Sequence, residues 1–217
     1  MSTVSVKLTR VSGSIGGFGV EQPEKYRSCR PLPFRQWWLG PDKMPCEAAV
    51  AYVGVADEGL SVYVCLNDSD IFSEATADNQ RLWQLGDVAE FFVKPGTDCL
   101  DYWEIHVAPT DHIMILHIPS RVALTSKAVS IEDVMVTDRG VLKRVEVVPE
   151  QQQWAVELTL PWKTFALESV PAPATAWQFA VCRYNYTGGL HEVEHSSIAP
   201  LSTYSFHCYE DYCELIF

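Results

Sequence analysis

Two short runs carry most of the chemistry this chain could perform. Trp83-Gln-Leu-Gly86-Asp87-Val-Ala-Glu90-Phe-Phe-Val-Lys-Pro95 is followed, after a turn, by Tyr102-Trp103-Glu104-Ile105-His106, and nowhere else do aromatics and charges interleave so tightly. Alternation of apolar and polar residues makes the runs strand-like, so each has two chemically different faces. One face belongs in a core; the other offers an aromatic, a carboxylate and an imidazole to something outside. Such a set suits a polyhydroxylated ligand. The apolar C–H faces of sugar rings lie against aromatic planes, and their hydroxyls call for carboxylates, amides and guanidinium groups. A second chemistry is hydrolysis, because Glu90 and Glu104 on neighbouring strands could sit at the spacing of a retaining glycosidase pair. Against both stands a plainer reading, in which Glu90 faces solvent and pairs with an Arg or Lys. With seven tryptophans in 217 residues, most must also serve the core.

Asn67-Asp68-Ser69-Asp70 gathers four oxygen-bearing side chains in one loop. Asn67, Asp68 and Asp70 could hold a structural calcium, which needs several oxygens and tolerates irregular geometry. Equally, such residues cap turns. His191-Glu-Val-Glu-His195 has the spacing of a helical zinc motif. Gly188-Gly189 before it and Ser196, Ser197 and Pro200 after it are loop composition, so the helix that would align both imidazoles is not expected. No Gly-x-Ser-x-Gly elbow, phosphate-cradling loop or dinucleotide fingerprint is present. A catalytic role therefore rests on Glu90 and Glu104 alone.

The elements that must position these groups read as short strands. Residues 1–45 are rich in turn formers, with a glycine cluster at 13–19, and predict an irregular or edge-strand lead-in. Within it, Phe34-Arg-Gln-Trp37-Trp38 either caps the core or lines a surface site. Two runs of β-formers around Asp57-Glu-Gly59 predict a hairpin. Residues 71–82 predict a helical turn or loop leading into Trp83. Further strands are expected over Ile113 to Ile118, Arg121 to Val129, Val134 to Val136, Val141 to Val148, Trp154 to Leu160 and Trp177 to Tyr186. A polar loop is expected from His191 to Ser197, and a final paired strand at the C-terminus. Pro161-Trp162-Lys-Thr-Phe-Ala-Leu predicts the one clear helical turn, with proline at its first position. Together these predict an all-β, antiparallel β-sandwich of immunoglobulin-like or jelly-roll type, one domain over 1–217, with one or two helical turns.

Composition bounds the function. Apolar residues at 47% and aromatics at 12% are ample for a core. A formal charge of −12 repels phosphate backbones and anionic lipid, which argues against nucleic-acid and membrane partners. The first ten residues lack the basic start and apolar run of a secretory signal, so a cytoplasmic location is expected for the chain as given, or secretion if a leader was removed. Seven cysteines without a Cys-x-x-Cys pair are expected to be reduced and mostly core residues.

In order along the chain, Trp83…Gly86-Asp87-x-x-Glu90-Phe-Phe-x-x-Pro95, Tyr102-x-Glu104, Trp154-x-Val-Glu-Leu-x-Leu-Pro161-Trp162, Trp177-x-Phe-x-Val-x-Arg183, Ser196-Ser197-x-x-Pro200 and Phe206-His207 resemble the family 9 carbohydrate-binding modules. The match spans about residues 47–217. The resemblance implies a non-catalytic sandwich that holds a sugar between two aromatics, often with structural calcium. Trp83 resembles the first stacking aromatic and Glu90 the carboxylate that takes sugar hydroxyls. Arg183 and Asn185 fall where the family keeps further polar contacts. The second stacking tryptophan has no counterpart, and Tyr186 or Tyr184 would substitute. The expected ligand is thus a mono- or oligosaccharide held by Trp83, Glu90, Tyr102, Glu104, Arg183, Asn185 and Tyr186. The alternatives are the glycoside hydrolase and a sandwich that has lost sugar binding and engages proteins.

Overall fold

A computed structural model describes residues 3–13, 23–137 and 140–217. Most of the glycine cluster at 13–19 lies outside them. The chain begins with two short strands, β1 (Ser5–Lys7) and β2 (Leu32–Pro33). The expected hairpin follows as β3 (Ala49–Val55) and β4 (Gly59–Asn67), then β5 (Val88–Lys94), β6 (Tyr102–Val107) and β7 (Ile113–Ile118). Next come two short helices, α1 (Arg121–Thr125) and α2 (Ile131–Val134). The remainder is β8 (Leu142–Val148), β9 (Gln153–Pro161), β10 (Ala176–Thr187), β11 (Glu192–Ser197) and β12 (Cys213–Ile216). The helical turn after Pro161 is a single 3-10 turn, Trp162–Phe165.

The strands form two sheets. One is ordered β2-β3-β4-β9-β8; the other is β1-β12-β10-β5-β6-β7, with β11 paired to β10. The sandwich is antiparallel apart from its edge, where β1 pairs parallel with β12. Phe91, Ile105 and Val181 lie in register across the second sheet and meet Val62, Val64, Val156 and Leu158 of the first in one core. The lead-in has a structural role. Val11, Tyr26 and Cys29 cover Tyr52, Tyr63 and Cys65 on the other side of the first sheet, and the Tyr26 hydroxyl bonds Ser61 (2.7 Å) and donates to Glu157 (2.9 Å).

Three expectations are corrected. Arg121 to Val129 is not a strand, and Val134 to Val136 is reduced to an isolated bridge of Met135 with Leu116 of β7, because serine caps turn the segments before it into helices. Ser120 accepts the Ala123 N–H, and Ser130 forms a reciprocal capping box with Asp133, closing α1 and α2. His191 to Ser197 is not a loop but β11, whose polar residues are tolerated because it lies at the rim of β10.

The sheets are tied at one end by a buried charge. Arg183 of β10, 1% exposed, reaches across to the end of β4, donating to the Asn67 carbonyl (2.7 Å) and pairing with Asp68 (3.2 Å). It also bonds Asn185, whose amide donates to Glu47 (3.1 Å). Removing one partner of a buried pair strands the other charge, at a cost of roughly 3–5 kcal/mol. Asp68→Asn is expected to lower unfolding free energy by about that much in urea titration, and a loss under ~1 kcal/mol would show that Arg183 does not depend on Asp68.

Candidate functional site

The second sheet has an outer face whose residues follow from the register. Glu90 stands opposite His106 on one side and Cys182 on the other, and Phe92 stands opposite Glu104. Opposed residues share a face, so Glu90, Phe92, Glu104, His106 and Tyr184 all point away from the core. They line a cavity of about 270 Å³ with Trp83, Ile131 of α2, and residues 204–207. Trp83 and Glu90 therefore share one open cavity.

Local constraints aim Trp83. The Gly86 backbone has φ +137°, and a Cβ there would stand 2.4 Å from the Phe72 carbonyl, so only glycine allows the chain to double back. Asp87 secures that turn by accepting N–H bonds from Phe72 (2.6 Å) and Tyr186 (2.7 Å). The Tyr186 hydroxyl donates to the Trp83 carbonyl (2.6 Å). Half-buried Trp83 then packs on His106, ring centres 5.3 Å apart.

The cavity floor is a row of charges. His106 Nε2 lies 2.6 Å from Glu104 Oε1, and Nδ1 lies 3.1 Å from Glu90 Oε1. All three are buried, at 1% exposure for His106, 2% for Glu90 and 6% for Glu104. Burial pushes Glu90 up to about 8, with the Glu104 charge adding to the rise and His106 opposing it. Burial would raise Glu104 as well, but the hydrogen bond and charge of His106 outweigh it and hold Glu104 below its ordinary range. Burial would lower His106; its two carboxylate neighbours reverse this and hold it above the usual imidazole range. Burial thus favours the protonated Glu90 carboxyl, while His106 holds Glu104 as a carboxylate. The row offers a ligand a donor at Glu90 and a bare acceptor at Glu104, whose Oε2 has no hydrogen-bond partner among the described residues.

Opposite Trp83 the wall is aromatic. Tyr184 sits edge-on to Phe206 (5.6 Å) and to His195 (4.3 Å). Tyr204, 59% exposed at the rim, bonds His195 through its hydroxyl (2.9 Å). Burial pushes His195 down to about 4, so the ring is neutral at neutral pH. Trp38 backs this wall, 5.4 Å from Tyr204 and 6.3 Å from Phe206. The Tyr212 hydroxyl fixes Phe206 through its carbonyl (2.5 Å).

No protein-family model matches the sequence, and neither does any curated protein. Solved structures do. One is a protein of Bacteroides uniformis, provisionally described as carbohydrate-binding, with a TM-score of 0.69 at 16% identity over the whole of both chains. Two are family 9 carbohydrate-binding modules of Caldicellulosiruptor kristjanssonii, in complex with glucose (TM-score 0.64) and with cellotriose (0.63). Each is 12% identical over 98% of this chain, and the matches cover 94% and 92% of those chains respectively. The chain has the fold of the family 9 carbohydrate-binding modules.

On that fold only some of the predicted site residues meet. Trp83, Glu90 and Glu104 line the cavity. Arg183 and Asn185 do not, because they sit one residue out of phase with Cys182, Tyr184 and Tyr186 and so point between the sheets. Tyr186 supports Trp83 from behind. Tyr102 is fully buried and bonds His207 Nδ1 (2.9 Å), acting beneath the cavity. The calcium loop does not fit an ion. Asp68 accepts from Trp154 (3.1 Å) and Asp70 N–H (3.1 Å), Asp70 accepts from Gly188 (2.7 Å), and Asn67 accepts from the Gln153 amide (2.7 Å). The cation that Asp68 and the Asn67 carbonyl hold is Arg183. His106, Phe92, Tyr204 and Phe206 were not among the predicted contacts. The aromatic pair Tyr204-x-Phe206 in the C-terminal segment is the signal for the last two.

A carboxyl group held protonated by burial stabilises the folded state most at low pH, and the contribution fades as pH rises through the folded value. For Glu90 that loss falls between its unfolded value, about 4.3, and the folded value. Unfolding free energy measured at pH 6 and pH 9 is expected to drop by about 2 kcal/mol more in the wild type than in Glu90→Gln. Parallel pH dependences in the two proteins would return Glu90 to its ordinary range.

Proposed function

We propose that this chain binds a saccharide, without catalysis, in the cavity between Trp83 and the Tyr184–Tyr204–Phe206 wall. The observation that carries this reading is that one indole and two buried carboxylates share a single open cavity on the outer face of a sheet. A ring stacked on Trp83 would turn its edge hydroxyls toward the floor, where Glu90 donates and Glu104 accepts. Pockets for drug-sized ligands run to about 300–1,000 Å³, so this smaller cavity suits one sugar ring or the end of a chain. The fold neighbours captured with glucose and cellotriose support the ligand class.

A hydrolase built on Glu90 and Glu104 is disfavoured by the same geometry. The two carboxyls of a glycosidase flank the scissile bond. Here the His106 imidazole fills the space between them, within 3.1 Å of Glu90 and 2.6 Å of Glu104.

Titration with mono- and disaccharides, followed by tryptophan fluorescence, is expected to give dissociation constants from micromolar to millimolar, or about −8 to −4 kcal/mol. Trp83→Ala should weaken binding by about tenfold through loss of the stacking face. Silence toward every sugar, or binding indifferent to Trp83→Ala, would sink the proposal.

A further inference from the structure

The cavity has an unusual balance of charge for a site that takes neutral polyols. Of its lining residues, none is a lysine or an arginine. Its carboxylate, Glu104, is by contrast incompletely satisfied. Glu104 Oε2 is buried without a hydrogen-bond partner among the described residues, and His207 Nδ1 stands 3.7 Å away, already bonded to Tyr102. Glu90 stands 3.1 Å from His106, which it shares with Glu104. Lys94, on the same strand, is turned away and donates to the Gly96 (3.0 Å) and Thr97 (2.6 Å) carbonyls. Around these acceptors stand Trp83, Phe92, Tyr184, Tyr204 and Phe206.

Aromatic faces with a carboxylate at their base are the chemistry that recognises an ammonium group, through the negative ring faces and a charge-assisted hydrogen bond. A primary ammonium brings three donors and a positive charge, and so answers both unmet needs of the floor at once. A hydroxyl brings one donor and no charge. The surrounding field has the same sign, since the chain carries −12. We infer that the preferred ligand is a cationic amino sugar, with its free amine on Glu104 and its ring on Trp83. This deepens the saccharide reading and rests on it. The ring supplies the stacking face, and the amine supplies the donors that no protein group provides.

The test is a comparison of four probes by isothermal titration calorimetry at pH 7. An α-amino group titrates near 7.7–8.0, so an amine of that kind is mostly protonated there. The probes are glucosamine, glucose, N-acetylglucosamine and ethanolamine. Glucosamine is expected to bind about tenfold tighter than the other three, in keeping with the greater strength of a charge-assisted hydrogen bond. Glu104→Gln keeps the shape of the floor and removes its ionised carboxylate. It should weaken glucosamine more than glucose and reduce the preference to under about threefold, and an undiminished preference would overturn the assignment. Glucose or N-acetylglucosamine binding as tightly as glucosamine would overturn the amino-sugar assignment and leave the saccharide reading standing. Ethanolamine binding as tightly as glucosamine would overturn it by showing that the ring is not read. Absence of heat with all four, and with cellobiose, would overturn both.

Discussion

A guanidinium shut between two sheets cannot be left without anions, and much of this molecule is arranged around that constraint. Arg183 is satisfied only if the end of β4 turns back toward β10, bringing the Asn67 carbonyl and Asp68 within reach. The same turn sets Asp70 against the Gly188 N–H beyond the end of β10. Asp87 then joins the 72–73 segment to Tyr186, and Tyr186 holds Trp83. A charge on the core side of β10 thus anchors the residues that shape the cavity on its other side. Replacing such a pair by apolar groups is often neutral for stability, so its contribution here is to the geometry of the strand ends.

The cavity depends on a second buried charge problem with a different solution. Three titratable groups lie in a row with no lysine or arginine along the cavity to neutralise them. They settle it among themselves: burial favours the protonated form of Glu90, and His106 holds Glu104 in its ionised form. That division leaves a donor and an acceptor side by side at the base of an aromatic slot. Polyol recognition needs both kinds of group, and one buried imidazole between two carboxylates supplies them.

The candidate site was legible in part. Trp83, Glu90 and Glu104 stood out because their types and their strand context agree. Arg183 and Asn185 lie in the right strand for the same wall, yet each is one position from Tyr184, which faces the cavity. In a strand, that single step reverses the side. Asn67, Asp68 and Asp70 read as calcium ligands because four oxygen-bearing residues in sequence look the same whether they surround an ion or an arginine. Arg183 lies more than a hundred residues away, and only folding brings it into the loop. The helices were missed for a local reason: Ser120 and Ser130 outweigh the β-formers after them by capping.

By itself the sequence determined the all-β class, the hairpin from Ala49 to Asn67, the glycine turn that presents Trp83, and the aromatic and acidic character of a site near Glu90. These follow from alternation, turn chemistry and composition, which act over a few residues. Tertiary structure alone decided which face each β10 side chain serves, that Arg183 is the cation of the Asp68 loop, and that Tyr184, Tyr204 and Phe206 form the wall opposite Trp83. Those outcomes depend on register and on contacts between segments up to 138 residues apart, and local patterning carries no information about either.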